Sequence, residues 1–345
     1  MKNNRRKIAL VLLAVVAVVA VGWLLLSHYG LEMPEVDLSS LAQDAAALLP
    51  GSASQWAEAV PTPPPPEEIP AESPGLLQVY FLDVGQGDST LIRAPAGDVT
   101  WTMLIDTGEY AYADGLTDAL KGLGVTRIDA LVCSHPHLDH MGCMARIVQR
   151  FEIGALYMPR IPDDQVPTTS GYEALLRRMK EKDLSATRLA MGTAIPCPEG
   201  MDIQVLSPDP NAVWDEMNDY SGVLKITWGA NSFLITGDAE KPSEQVMLYS
   251  GQDLSAQVLR LGHHGSSTST SVGFFDAVHP EIAVISCGRN NEFGHPHREV
   301  RALLAERGTP TYRTDQDHTI LITADGVNLT VTTDLPSVPE KQWAT

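Results

Sequence analysis

Residues 135–140 read His-Pro-His-Leu-Asp-His and follow directly on the apolar run from Ile128 to Cys133. An apolar run of that length between polar neighbours is a buried strand. Any fold the chain adopts must therefore carry three imidazoles and a carboxylate to the end of an interior strand. The pleat sends alternate side chains to one side, so His135 and His137 can grip one ion while Asp139 and His140 reach a second beside it. A single histidine here would be an ordinary surface residue. The whole string has ligand spacing and points to a pair of divalent metals.

Other residues fit the same chemistry. Gly237-Asp238 follows the strand-like run Phe233 to Thr236, which puts Asp238 at a strand end, although a lone Gly-Asp is by itself a turn. His263 and His264 precede Gly265 after an apolar run, and His295 lies in Gly-His-Pro-His after another. All three suit the edge of a site formed by strand ends. The serine and threonine run 266–271 can donate hydroxyls from Ser266 and Ser267 to an anionic substrate, or cap a helix from Val272. Residues 83–89, Asp-Val-Gly-Gln-Gly-Asp-Ser, form a glycine-containing turn between two strands.

Strands are predicted at 77–83, 89–93, 101–105, 128–134, 203–206, 221–228, 232–236, 256–261, 282–286, 310–313, 319–323 and 327–332. Helices are predicted at 141–151, 172–182, 242–249, 272–278 and 298–307. Two sheets covered on their outer faces by helices satisfy this order. The four cysteines are too few for a disulfide scaffold, and Cys133 and Cys287 read as small buried hydrophobes.

Three regions differ in composition. Ile8 to Leu26 is an apolar stretch just long enough to span a bilayer, preceded by Lys2, Arg5, Arg6 and Lys7. It is expected to be an uncleaved anchor, with the basic residues cytoplasmic and the rest of the chain outside the cell; secretion after signal cleavage is the alternative. From residue 31 to 75 a proline-, alanine- and glutamate-rich stretch reads as an unfolded stalk. A globular domain follows over 76–334, then a tail at 335–345. The net charge is −19, with 19 basic against 34 acidic residues over 76–334. Tight non-specific nucleic-acid binding is not expected from that balance.

The segments VYFLDVGQGDSTLI (79–92), LIDTG (104–108), HPHLDH (135–140), FLITGDAE (233–240), LGHHGSSTSTS (261–271), ISCGRNNEFGHPH (285–297) and YRTDQDHTILITADG (312–326) together resemble the hydrolase domain of ComEC-type DNA-uptake proteins, a branch of the metallo-β-lactamase superfamily. The resemblance spans 76–334 and implies an α/β fold, the αββα sandwich, with ligands on loops along one edge. It implies that Asp238 bridges two Zn²⁺ or Mn²⁺ ions, and that Asp139, His135 and Asp238 orient an attacking hydroxide. It ranks His264 ahead of His263 and His295 as the last ligand. Many relatives have a further histidine ligand where this chain has Asp219 in Asn-Asp-Tyr-Ser-Gly, so Asp219 is expected as a ligand that favours Mn²⁺. Gln86 and Asp88 are expected to face metal or substrate, and Asp83 and Asp106 to orient the ligand loop.

The implied activity is hydrolysis of a phosphodiester, with nucleic acid as substrate class. ComEC proteins also carry a many-helix channel for which these 345 residues have no room, so a separate channel protein is an expected partner. The alternatives are a small-substrate esterase or lactonase, including one acting on phosphocholine-type groups, and a non-catalytic assembly module stabilised by metal.

Overall fold

The computed structural model describes residues 75–340. The apolar N-terminal stretch, the proline-rich stretch and the last five residues lie outside these. Among the described residues no helix is long and apolar enough to cross a membrane.

Fourteen strands among the described residues pair into two sheets. The first contains β1 (Leu77–Phe81), β2 (Thr90–Ala96), β3 (Val99–Ile105), β4 (Arg127–Val132), β5 (Glu152–Pro159) and β6 (Ala186–Leu189), joined late in the chain by β13 (Thr319–Ala324) and β14 (Leu329–Leu335). Its order is β14-β13-β1-β2-β3-β4-β5-β6. The second contains β7 (Met201–Ser207), β8 (Val223–Trp228), β9 (Asn231–Ile235), β10 (Val258–Arg260), β11 (Ile282–Ile285) and β12 (Thr311–Arg313), in the order β12-β11-β10-β9-β8-β7. Each sheet is antiparallel at one end and parallel at the other. The parallel parts are β3 to β6 and β9 to β12.

Parallel neighbours need crossovers, and helices supply them. In the first sheet these are α1 (Ala113–Gly122), α2 (Leu138–Met141) with α3 (Met144–Arg150), and α4 (Ser170–Glu181). In the second they are α5 (Lys241–Ser250), α6 (Val272–Val278) and α7 (Arg298–Arg307); a last short helix, α8 (Thr314–Asp317), precedes β13.

Strand alternation then builds three apolar layers. Ala130 and Val132 of β4 meet Phe233, Ile235 and Trp228 between the sheets. Leu131 faces the opposite way, onto Leu116 and Leu120 of α1 and Ile147 of α3. Leu234 of β9 and Leu259 of β10 pack outward on Phe274, Phe275 and Leu303. The result is the expected helix–sheet–sheet–helix order. It also aligns the carboxyl ends of β3, β4, β9, β10 and β11, where an α/β sheet opens its crevice.

Four elements escaped the sequence reading, the short helix α8 among them. Helix α1 carries Gly115 and Gly122, which weaken its signal, but its buried Leu116 and Leu120 hold it on the first sheet. Strand β5 contains Gly154 and ends at Pro159; its pairing with β4, Leu131 opposite Leu156, makes it a strand. The four-residue β6 extends that edge. The helix expected over 141–151 is two short helices broken at Gly142 and Cys143. The folded part also continues past 334: β14 ends at Leu335, and the buried Val338 donates its amide to the Asp83 carbonyl at 2.9 Å.

Candidate metal centre

The five strand ends deliver Asp106 after β3, residues 134–140 after β4, Asp238 after β9, His263 and His264 after β10, and residues 286–297 after β11. Close approach of these loops demands particular backbone. Gly237 has φ +51°, and a Cβ there would lie 2.9 Å from the Ser134 Cβ. Gly87 presses on the ligand loop so closely that a Cβ would lie 2.4 Å from the Asp139 carbonyl oxygen. Asp106, His263 and His264 take left-handed φ values of +59°, +49° and +55°. Strain of this kind in L-residues gathers where a fold over-determines a site.

Asp238 is the hub. Its Oδ2 lies 3.1 Å from His140 Nε2, 3.5 Å from His264 Nε2, 3.8 Å from His263 Nε2 and 4.0 Å from His135 Nε2. Each of those rings is tethered through its other nitrogen. His140 Nδ1 contacts Asp106 Oδ2 at 2.8 Å, His264 Nδ1 donates to the Ser286 carbonyl at 2.9 Å, and His263 Nδ1 contacts Glu240 Oε1 at 3.0 Å. His135 Nδ1 sits 3.1 Å from Ser134 Oγ and 3.3 Å from Ser221 Oγ. Tethering at Nδ1 leaves Nε2 facing inward, which is how ligating imidazoles are held. On one side His135 Nε2 stands 2.9 Å from His137 Nδ1; on the other, Asp139 Oδ2 lies 3.2 Å from His264 Nε2.

The electrostatics fit a divalent cation. Asp139, His140, Asp238 and His264 offer ligand atoms that all lie within 4.8 Å of one another. Buried Asp238 Oδ1 has no hydrogen-bond partner among the described residues. Two buried carboxylates, Asp88 and Asp238, lie 2.8 and 3.7 Å from one guanidinium, that of Arg260, while Asp106 and Asp139 face the imidazoles of His140 and His264. Burial alone would raise the Asp238 carboxyl, but His140 and His264 hold it well below the usual range. Burial would likewise lower the His140 imidazole, yet Asp238, Asp139 and Asp106 together carry it well above its ordinary value. Such a cluster stabilises positive charge at its centre.

Several expected residues have other tasks. Asp219 Oδ1 accepts from the amides of Glu240 and Ser243, 3.2 and 3.1 Å away, at the head of α5. It caps the helix and does not join the convergent set. Its neighbours in the same string serve the site instead: Ser221 Oγ accepts from the Asp238 amide at 3.0 Å, and Asn218 Nδ2 donates to Glu240 at 2.9 Å. Asp83 accepts from the Gly85 amide and from Ser337 Oγ, fastening the C-terminal segment and not the ligand loop. Gln86 Oε1 accepts from the Gly288 amide at 3.0 Å; Asp88 is buried against Arg260 at 2.8 Å and also offers a ligand atom within 4.8 Å of those of Asp106 and His140, as its expected place facing the metals requires. Ser266 Oγ contacts Thr268, Ser267 donates its amide to His297 Nδ1, and Ser271 caps α6. His295 stays outside the Asp238 set; burial, then His264, His263 and His297, push its imidazole down to about 4.

Sequence reading missed Ser134, Ser221, Glu240 and Arg260. The serines carry no signal that a sequence could reveal. Arg260 does: it is a lone charge within the apolar run Val258–Leu261 and is fully buried between the sheets. All four cysteines are free.

Residues 82–192 match the family model described as Metallo-beta-lactamase superfamily. The chain carries a metallo-β-lactamase domain. That domain is 31% identical over 264 residues to ComE operon protein 3 of Bacillus subtilis, an alignment covering 70% of this chain and 32% of that protein. It is 33% identical over 252 residues to the competence protein ComA of Neisseria gonorrhoeae, covering 72% of this chain and 32% of that one. The chain thus spans about a third of the length of these relatives. Among solved structures, Igni18, a metallo hydrolase from Ignicoccus hospitalis, aligns with TM-score 0.42 and 14% identity over 71% of this chain and 98% of that one.

Two substitutions separate ligation from support in the metallo-β-lactamase domain. Asp106→Asn should weaken metal affinity ~10–100-fold, because the carboxylate that fixes the His140 ring is lost while Asp139 and Asp238 remain. Competition with a chromogenic chelator measures this, and parental affinity would remove Asp106 from its supporting role. Asp219→Ala should leave metal stoichiometry unchanged and cost about 1 kcal/mol of stability through the lost cap. A drop in bound metal at unchanged stability would return Asp219 to the ligand set.

Proposed function

We propose that this protein is a metal-dependent phosphodiesterase acting on nucleic acid. The observation that supports it best is the Asp238 hub with four inward-facing Nε2 atoms. His135, His137 and His263 would hold one divalent ion, Asp139, His140 and His264 a second, with Asp238 between them. Divalent ions in such a pair supply Lewis acidity and an activated water at neutral pH. The Mn²⁺ preference expected for Asp219 as a ligand loses its basis, and a set rich in imidazole favours Zn²⁺.

The chain's own residues do the rest. Ser134 and Ser221 hold the His135 ring, and the Ser221 hydroxyl also receives the Asp238 amide, fixing the bridging carboxylate against the strand end. Asp139, with its side chain 29% exposed, is the ligand-set carboxylate open to the cleft and so able to orient water; burial would raise its carboxyl, but His140 and the bond to His264 hold it ionised, well below the usual range. No serine or cysteine nucleophile is needed; the cysteine thiols Cys133, Cys143 and Cys287 are all raised, each first by burial. Nucleic acid is favoured over small esters because the relatives at 31–33% identity are named as competence and ComE operon proteins. By the same reasoning the N-terminal apolar stretch anchors the domain outside the cell, beside a separate channel protein.

The test is to strip the full-length protein of metal, restore Zn²⁺ or Mn²⁺, and assay single-stranded oligonucleotide, bis-p-nitrophenyl phosphate and a β-lactam in parallel. Metal-dependent cleavage of the first two is expected. Turnover of the β-lactam or of carboxylic esters alone would overturn the assignment.

A further inference from the structure

The ring of the ligand candidate His264 begins a stack that leads out of the site. His295 lies against it with centroids 6.1 Å apart and planes 28° from parallel, and Phe293 lies on His295 at 5.6 Å and 20°. These are offset stacking distances. His264 and His295 are buried, whereas Phe293 is 56% exposed. His295 Nδ1 is buried and has no hydrogen-bond partner among the described residues. The segment is built to stay in place: the Asn291 side chain bonds both the amide and the carbonyl of His295, at 2.9 and 2.8 Å, and His297 Nε2 bonds the Phe293 carbonyl at 3.1 Å. Phe293 thus presents its ring to solvent from a backbone fixed on both sides, at the outer end of a stack that starts at the ligand candidates.

We propose that Phe293, backed by His295, is a base-binding platform that stacks a nucleobase adjoining the phosphodiester at the metal centre. This rests on the phosphodiesterase assignment and adds to it how the strand is gripped. The charge at this rim does not attract a phosphate backbone. Glu109 is raised by burial and then by repulsion from Asp139, Glu340 and Glu292, so carboxylates crowd this rim and Glu292 adjoins Phe293. Every base has a π-face, which stacks without regard to sequence and without needing positive charge.

The experiment compares two single strands of equal length, one of thymidylate and one of abasic tetrahydrofuran phosphodiester, cleaved by full-length holoprotein. The parent should show kcat/KM on the order of 10-fold or more higher for the base-bearing strand. Phe293→Ala should bring that ratio close to one while leaving cleavage of the abasic strand unchanged, and Phe293→Trp should restore it. Because Phe293 is exposed, folding of the variants is checked simply by circular dichroism. Equal cleavage of both strands by the parent, or a ratio unaffected by Phe293→Ala, would overturn the platform and leave the phosphodiesterase assignment standing. Cleavage of neither strand by metal-loaded parent would overturn both.

Discussion

Asp139→Ala should reduce hydrolysis by on the order of 10³-fold or more and lower bound metal, while the protein keeps its fold. The residue lies on the four-residue helix α2 at the mouth of the site, with a partly exposed side chain. Its removal deletes no core contact. It does delete a candidate ligand atom beside His264 and the carboxylate most open to the cleft. Circular dichroism and a thermal melt establish the fold, metal analysis the stoichiometry, and oligonucleotide cleavage the loss. Full turnover by a folded, metal-replete Asp139→Ala protein would exclude this cluster as the catalytic centre.

Arg260→Met should destabilise the domain by about 3–5 kcal/mol, a large part of the stability of an ordinary domain. Arg260 is fully buried, with its guanidinium 2.8 Å from Asp88 and 3.7 Å from Asp238. The Asp88 contact is an ion pair across the two sheets: Asp88 belongs to the turn between β1 and β2, Arg260 ends β10. Removing the cation strands a buried carboxylate. Neutralising both partners, Arg260→Met with Asp88→Asn, should recover most of the loss, because the stranded charge and not the missing attraction dominates the penalty. Urea unfolding of the parent, both single variants and the double variant measures the coupling. If the single Arg260→Met variant unfolds at the parental midpoint, the pair has no structural weight.

The candidate ligand string, Asp238 at the centre of the imidazoles and the histidines of Gly-His-His-Gly were legible in the sequence because each sits at the end of an apolar run. A strand end is a place that local pattern can locate, and imidazoles clustered there have few other uses. The layered architecture was legible for a related reason, since strands apolar on both faces must be covered on both. Strand β5 and helix α1 were not, because glycines hide their local preference and only pairing with β4 and packing on the first sheet decide it.

Within the site, sequence alone could not separate a carboxylate that faces the imidazole cluster from one that binds backbone. Asp219 and Asp238 each lie beside a turn, but Asp219 meets the free amides at the head of α5 and Asp238 meets four imidazoles. Burial and the geometry of the nearest donors assign those roles, and both are set by chain segments far away in sequence. Likewise Arg260 was visible as an anomaly in an apolar strand, but its purpose required the turn carrying Asp88 to arrive from the other sheet. Residue type and spacing determined which chemistry this protein can hold; the meeting of two sheets decided which atoms are free to perform it.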